Sequence, residues 1–130
     1  TKYRVEGYSY IAGSYIADGS PDKASSAYKK LLDQLKDPAP GLLIRLGDAL
    51  FASNDCKGAM IAYEKALGVT AAGIEADYTR YQIGVCRARS NKDKLSGGIF
   101  SELAISSGSE IIKRLADERG KQASGEGSKN

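Results

Sequence analysis

The chain of 130 residues carries 19 basic and 16 acidic side chains, and 42% of its residues are hydrophobic. Its length suffices for one domain with a buried core, and the net charge of +3 is too small and too evenly spread to favour nucleic acid or an anionic membrane. No apolar run approaches the roughly 20 residues of a membrane span. Because the sequence starts at Thr1 without an initiator methionine or a signal sequence, we expect an excised domain or a processed product.

Apolar residues recur at helical spacing along the whole chain, and no segment alternates in the way that a strand requires. Short turns join the predicted helices, which makes successive helices antiparallel. The predicted fold class is therefore all-α. The predicted helices cover residues 3–18, 21–36, 40–53, 56–67, 74–90, 94–106 and 109–119.

Several predicted helix ends carry residues typical of caps. Ser20 is suited to cap the second helix, in front of Pro21 at the first helical position. Asp55 is suited to cap the fourth helix, and Gly68 can close it in the left-handed conformation. Residues 120–130 hold no large apolar side chain, so we expect a disordered tail there.

A combination of small and aromatic residues recurs in three helix pairs. In each pair a small residue is followed by a second small residue and then by an aromatic one: Ala12, Ala24 and Tyr28; Gly47, Ala59 and Tyr63; Gly84, Ser96 and Phe100. A glycine inside a helix costs about 1 kcal/mol relative to alanine. Two helices approach most closely where the side chains at their crossing are small. We therefore expect Gly47 to lie opposite Ala59, with Tyr63 filling the space beside them.

The pattern LxxLG followed by AxxxYxxA resembles the tetratricopeptide repeat. The resemblance covers copies at residues 5–37, 40–72 and 74–106, within a repeat domain of residues 1–119 whose last helix, 109–119, is a cap. In the third copy Arg80 and Arg87 stand where the family has bulky apolar residues. The resemblance implies an α-α superhelix that binds other proteins. An unrelated helical bundle with coincident glycines is the alternative.

The residue types argue against catalysis. The chain has no histidine, the commonest general base and metal ligand. The segment SGGIF at 96–100 lacks the lysine of a phosphate-binding loop, and Asp117 and Glu118 lie among basic residues as on a solvated face. We expect no enzyme, no cofactor and no metal. Cys56 and Cys86 are either two small, partly buried residues or a single disulfide.

The resemblance implies a concave groove, lined mainly by the first helix of each pair. Its apolar and aromatic character suits a partner helix or an extended apolar peptide. Ser9 and Gly13 stand where chaperone-tail-binding members carry lysine and asparagine, so a terminal carboxylate is not the expected ligand. The predicted groove residues are Ser9, Gly13, Ile16, Ile44, Asp48, Phe51, Tyr78, Tyr81, Val85 and Arg89.

The predicted groove residues also allow other interpretations. Tyr78 and Tyr81 can instead pack against neighbouring helices. The groove or the first helix can serve homo-oligomerisation, and the chain can be a regulatory domain of a larger protein. The third repeat, RYQIGVCRAR, leads into a basic last helix, as in bacterial envelope members of the family, which favours the periplasm or cell envelope slightly over the cytoplasm.

Overall fold

The computed structural model describes residues 2–90 and 93–123, without the side chains of residues 2–5, 8, 9, 93–96 and 123. In this part of the chain the backbone forms helices and no strands, and successive helices pack as antiparallel pairs, which confirms the all-α prediction. The helices are α1 (Lys2–Ala17), α2 (Pro21–Asp33), α3 (Pro40–Ala52), α4 (Cys56–Val69), α5 (Ile74–Arg89), α6 (Asp93–Ser106) and α7 (Glu110–Ala123).

The helices fall into two compact units, residues 1–69 and 70–130. In the first unit, α1 packs on α2, α2 on α3, and α3 on α4. In the second unit, α6 packs on both α5 and α7, and α5 also touches α7. Each unit therefore has a helix with neighbours on two sides, which buries more than one face of that helix.

In the first unit, burial on more than one face is most extensive for α3, which lies between α2 and α4. Its buried residues extend well beyond one face: Leu42, Leu43, Ile44, Leu46, Gly47, Ala49 and Leu50. A surface helix with a single partner would bury only an apolar stripe. The core of the first unit is therefore centred on α3.

Two glycines lie directly against aromatic rings. A Cβ atom at Gly47 would stand 2.6 Å from Cδ1 and 2.9 Å from Cζ of Tyr63, and one at Gly84 would stand 2.7 Å from Cε1 of Phe100. The Tyr63 ring thus fills the space beside Gly47, as the sequence predicted. Each glycine leaves room for a buried ring on the neighbouring helix, and this contact explains its presence inside the helix.

Of the three predicted caps, one forms in the structure as expected. The Asp55 carboxylate accepts a 2.9 Å hydrogen bond from the Gly58 amide, as predicted for an N-cap. Ser20 precedes α2 but makes no capping hydrogen bond with its side chain. The prediction for Gly68 was wrong, because α4 continues to Val69 and Gly68 does not have a positive φ. Glycine permits either conformation and here remains helical.

The last helix extends four residues beyond its predicted end at 119, to Ala123. An ion pair of 3.2 Å between Lys121 and Asp117 spans this last turn, and Gly120 packs against Phe100. The rest of the predicted tail, residues 124–130, lies outside the described residues.

Both cysteines are free thiols in this structure. Cys56 is half-buried at the start of α4, and Cys86 is buried in α5. Of the two alternatives, the structure therefore shows two separate, partly or fully buried cysteines and no disulfide between them.

Candidate functional site

Three of the predicted groove residues meet at a cavity of about 330 Å³ in the first unit, here called the α1–α3 cavity. These residues are Gly13 and Ile16 of α1 and Asp48 of α3. The Ile16 side chain is 45% exposed, and a Cβ atom at Gly13 would meet nothing within 4 Å. The remaining lining residues are Tyr28, Arg45, Ala49 and Ala52. The cavity therefore combines an exposed aliphatic side chain with three polar groups.

One polar group of this cavity, the Asp48 carboxylate, is held by a neighbouring helix. The Asp48 carboxylate accepts a 2.5 Å hydrogen bond from the hydroxyl of Tyr63 on α4, so it is anchored from behind the cavity. Burial raises the pKa of Tyr28 above its ordinary value of 10.0; the nearby Asp48 raises it further, and Arg45 lowers it. Tyr28 is therefore a neutral phenol at physiological pH and can donate or accept a hydrogen bond there.

The other predicted residues of the first unit have different positions. Ile44 is only 8% exposed, because α3 packs against helices on two sides, so it belongs to the core. Phe51 is half-buried and does not line the α1–α3 cavity. The side chain of Ser9 lies outside the described part of the chain.

In the second unit, the predicted residue Tyr81 packs between helices. Its ring lies 5.7 Å from that of Phe100 at an angle of 57°, and its hydroxyl accepts a 3.3 Å hydrogen bond from Nε of Arg119 on α7. Tyr81 therefore packs against neighbouring helices, which was the alternative to a role in ligand binding. Tyr81 also borders a cavity of about 380 Å³, together with Leu115, Glu118, Arg119 and Gln122.

The remaining predicted residues of α5 do not line this second cavity. Val85 is 3% exposed and belongs to the core of the unit. Tyr78 is half-buried and Arg89 is exposed. The family resemblance implied that Tyr78, Tyr81, Val85 and Arg89 all line one groove. Because α5 contacts both α6 and α7, these residues instead differ in burial.

The sequence did not indicate a further cavity of about 570 Å³ in the first unit, which lies between α2 and α4 over α3. Two exposed aliphatic residues of α4, Ile61 and Val69, border it. The signal was present as an apolar stripe on α4 beside the one that carries Tyr63. From the sequence we considered only Ala59 and Tyr63 of this helix, so this second stripe was missed.

In the described ranges, 2–90 and 93–123, no group of three or more acidic or cysteine side chains is placed to hold a metal ion. None of the helices in these ranges is both long and apolar enough to cross a membrane. No family model and no curated protein matches the chain.

Proposed function

We propose that this chain is a protein-interaction module made of three tetratricopeptide-like helix pairs followed by the capping helix α7. The observation that carries the proposal is the contact of a helix glycine with an aromatic ring sixteen residues later. This contact occurs as Gly47 with Tyr63 and as Gly84 with Phe100. Ala12 and Tyr28, both buried, have the same separation in the first pair. The copies follow one another after 35 and 37 residues, close to the 34-residue period of the family.

The α1–α3 cavity is the part of the predicted groove that best suits a ligand. In helical repeat arrays, the first helices of successive pairs line the binding surface, and α1 and α3 are the first helices of the first two pairs. Ile16 offers an apolar contact, while Arg45, Asp48 and Tyr28 offer hydrogen-bonding groups. An extended peptide matches this combination, with an apolar side chain against Ile16 and its backbone beside the polar groups.

Selection of peptides from a displayed library on the full chain, followed by fluorescence anisotropy, tests this function. Ile16→Glu is expected to weaken binding of the selected peptides at least about tenfold, because it puts a charge where apolar surface is buried. Ile61→Glu is the matched control: it changes the same residue type, at 52% exposure, outside the α1–α3 cavity. Failure to enrich any peptide, or equal binding by both variants, would contradict the proposal.

Self-association is the second candidate, because α1 also exposes apolar side chains outside the cavity. Tyr10 is 77% exposed and Ile11 is 46% exposed. Exposed apolar side chains of this kind lose contact with water when two copies associate through α1. Sedimentation velocity over a range of concentrations distinguishes this role: a dimer that Tyr10→Ser together with Ile11→Ser converts to monomer supports it, and a strict monomer at every concentration rejects it.

A further inference from the structure

The cavity of about 570 Å³ between α2 and α4, here called the α2–α4 groove, lies in the first unit and does not share a lining residue with the α1–α3 cavity. Its floor consists of Leu43, Leu46 and Leu50 of α3. These three leucines recur at intervals of three and four residues, so they form one stripe along α3. The floor of the groove is therefore aliphatic along its length.

The α4 wall continues this aliphatic surface with residues of alternating size. Gly58 and Ala62 are small, whereas Ile61 and Val69 are large and more than half exposed. From Gly58 to Val69 the wall covers twelve residues, whose eleven helical steps span about 16 Å. The groove thus has the length to accept about three turns of a helix.

The charged residues of the groove stand on its two opposite walls. Lys29 lies on α2 and Lys65 on α4, and the one acidic residue of the lining is Asp33, one turn from Lys29. In the part of the chain that the structure describes, the side chains of these three residues make no ion pair or hydrogen bond. The lining therefore carries one excess positive charge, and a cation without an ion-pair partner stands on each wall.

We propose that the α2–α4 groove binds an amphipathic helix of a partner protein whose apolar stripe is flanked by acidic residues. The apolar side chains enter the aliphatic trough, and acidic residues on the two flanks meet Lys29 and Lys65. A helix fits better than a small amphiphilic anion for two reasons. The single charged head of such an anion can meet only one wall, and an open trough leaves the polar side of a helix in water.

A displayed library of helical peptides tests this assignment. The library has a fixed stripe of leucines, and its flanking positions vary among acidic, basic and neutral residues. The full chain is expected to enrich aspartate and glutamate at the flanks. The double variant Lys29→Glu with Lys65→Glu is expected to enrich lysine and arginine there, and to bind the acidic helices about tenfold more weakly, because two attractions become repulsions.

The matched control is the double variant Lys30→Glu with Lys57→Glu. It makes the same charge change on the same two helices, at exposed lysines that do not line the groove. The control is expected to keep the acidic preference. Equal loss of binding in both double variants would indicate a general effect of net charge and would overturn the proposal.

Two further variants separate this groove from the α1–α3 cavity. Ile61→Glu is expected to abolish binding of the enriched helices, whereas Ile16→Glu is expected to leave it unchanged; circular dichroism verifies that both remain folded. The reverse result would place the helices in the α1–α3 cavity, which would support the proposed function and overturn this inference. Flanks without a charge preference, or binding of decanoate with no helix enriched, would overturn it as well.

Discussion

Ser107, in the turn between α6 and α7, donates a 2.8 Å hydrogen bond from its Oγ to the Oδ2 of Asp77 on α5. Ser107 is buried, and its Oγ also accepts a 3.2 Å hydrogen bond from the amide of Ser109. Asp77 in addition forms an ion pair of 3.7 Å with Arg80. A single serine thus ties the α6–α7 turn to the first turn of α5, thirty residues earlier in the chain.

Ser107→Ala is expected to lower the free energy of unfolding by about 1 to 2 kcal/mol, because it removes a buried hydrogen bond to a carboxylate. Urea denaturation followed by circular dichroism measures the change. Ser106→Ala is the control, since the neighbouring serine is exposed and its hydroxyl bonds only the backbone of its own helix. The control is expected to stay within about 0.5 kcal/mol of the wild type. Equal effects of the two variants would contradict a specific role for Ser107.

Gly47→Ala is expected to destabilise the chain by about 1 to 2 kcal/mol, although alanine is the better helix former. The added Cβ atom would overlap the Tyr63 ring, which is buried and is fixed by its hydrogen bond to Asp48. The strain of overpacking then exceeds the gain of about 1 kcal/mol in helix propensity. Gly68→Ala in α4 is the control, because nothing lies within 4 Å of its added Cβ atom. A stabilised Gly47→Ala variant would show that the ring can move freely.

In the second unit, Gly84→Ala is expected to behave in the same way. Its added Cβ atom would stand 2.7 Å from Cε1 and 2.9 Å from Cζ of Phe100, which is buried and packs against Tyr81. Gly98→Ala in α6 has open space around its Cβ atom and is expected to stabilise by up to about 1 kcal/mol. Thermal unfolding is expected to show that Gly84→Ala lowers the stability and that Gly98→Ala raises it. A change in the same direction for both variants would contradict this prediction.

The burial of Tyr28 predicts a loss of stability at alkaline pH. Its pKa is raised in the folded chain, so the unfolded chain releases this proton first as the pH increases. The stability that Tyr28 contributes is complete below its unfolded pKa of about 10 and falls as the pH rises from there towards the folded value. Tyr28→Phe is therefore expected to lose less stability than the wild type between roughly pH 9 and pH 11.

Tyr10→Phe is the control for this pH dependence, since Tyr10 lies exposed on α1. Urea denaturation at a series of pH values gives the slope for each protein. The wild type and Tyr10→Phe are expected to share one slope, and Tyr28→Phe is expected to have a shallower one. Three equal slopes would show that the ionisation of Tyr28 does not affect folding.

Local sequence patterns were sufficient to predict the helices and one of their caps. Apolar periodicity located every helix, because the helical period is a property of the sequence itself. The cap at Asp55 was predictable because a capping side chain bonds an amide only three residues away. The sixteen-residue spacing of small and aromatic residues was visible in the sequence, and it predicted the position of Tyr63 beside Gly47. The membership of the tetratricopeptide family stays a prediction.

The candidate surfaces depended on tertiary packing. The family resemblance implied that Ile44 and Val85 line an open groove, yet both are buried, because their helices have neighbours on more than one side. The sequence likewise did not predict the hydrogen bond between Arg119 and Tyr81, or the positions of Lys29 and Lys65 on opposite walls of one groove. Periodicity reports which face of a helix is apolar, whereas the number and position of its neighbours decide which apolar residues remain open to a partner. The sequence by itself thus determined the helices, and only the tertiary structure decided where cavities remain between them.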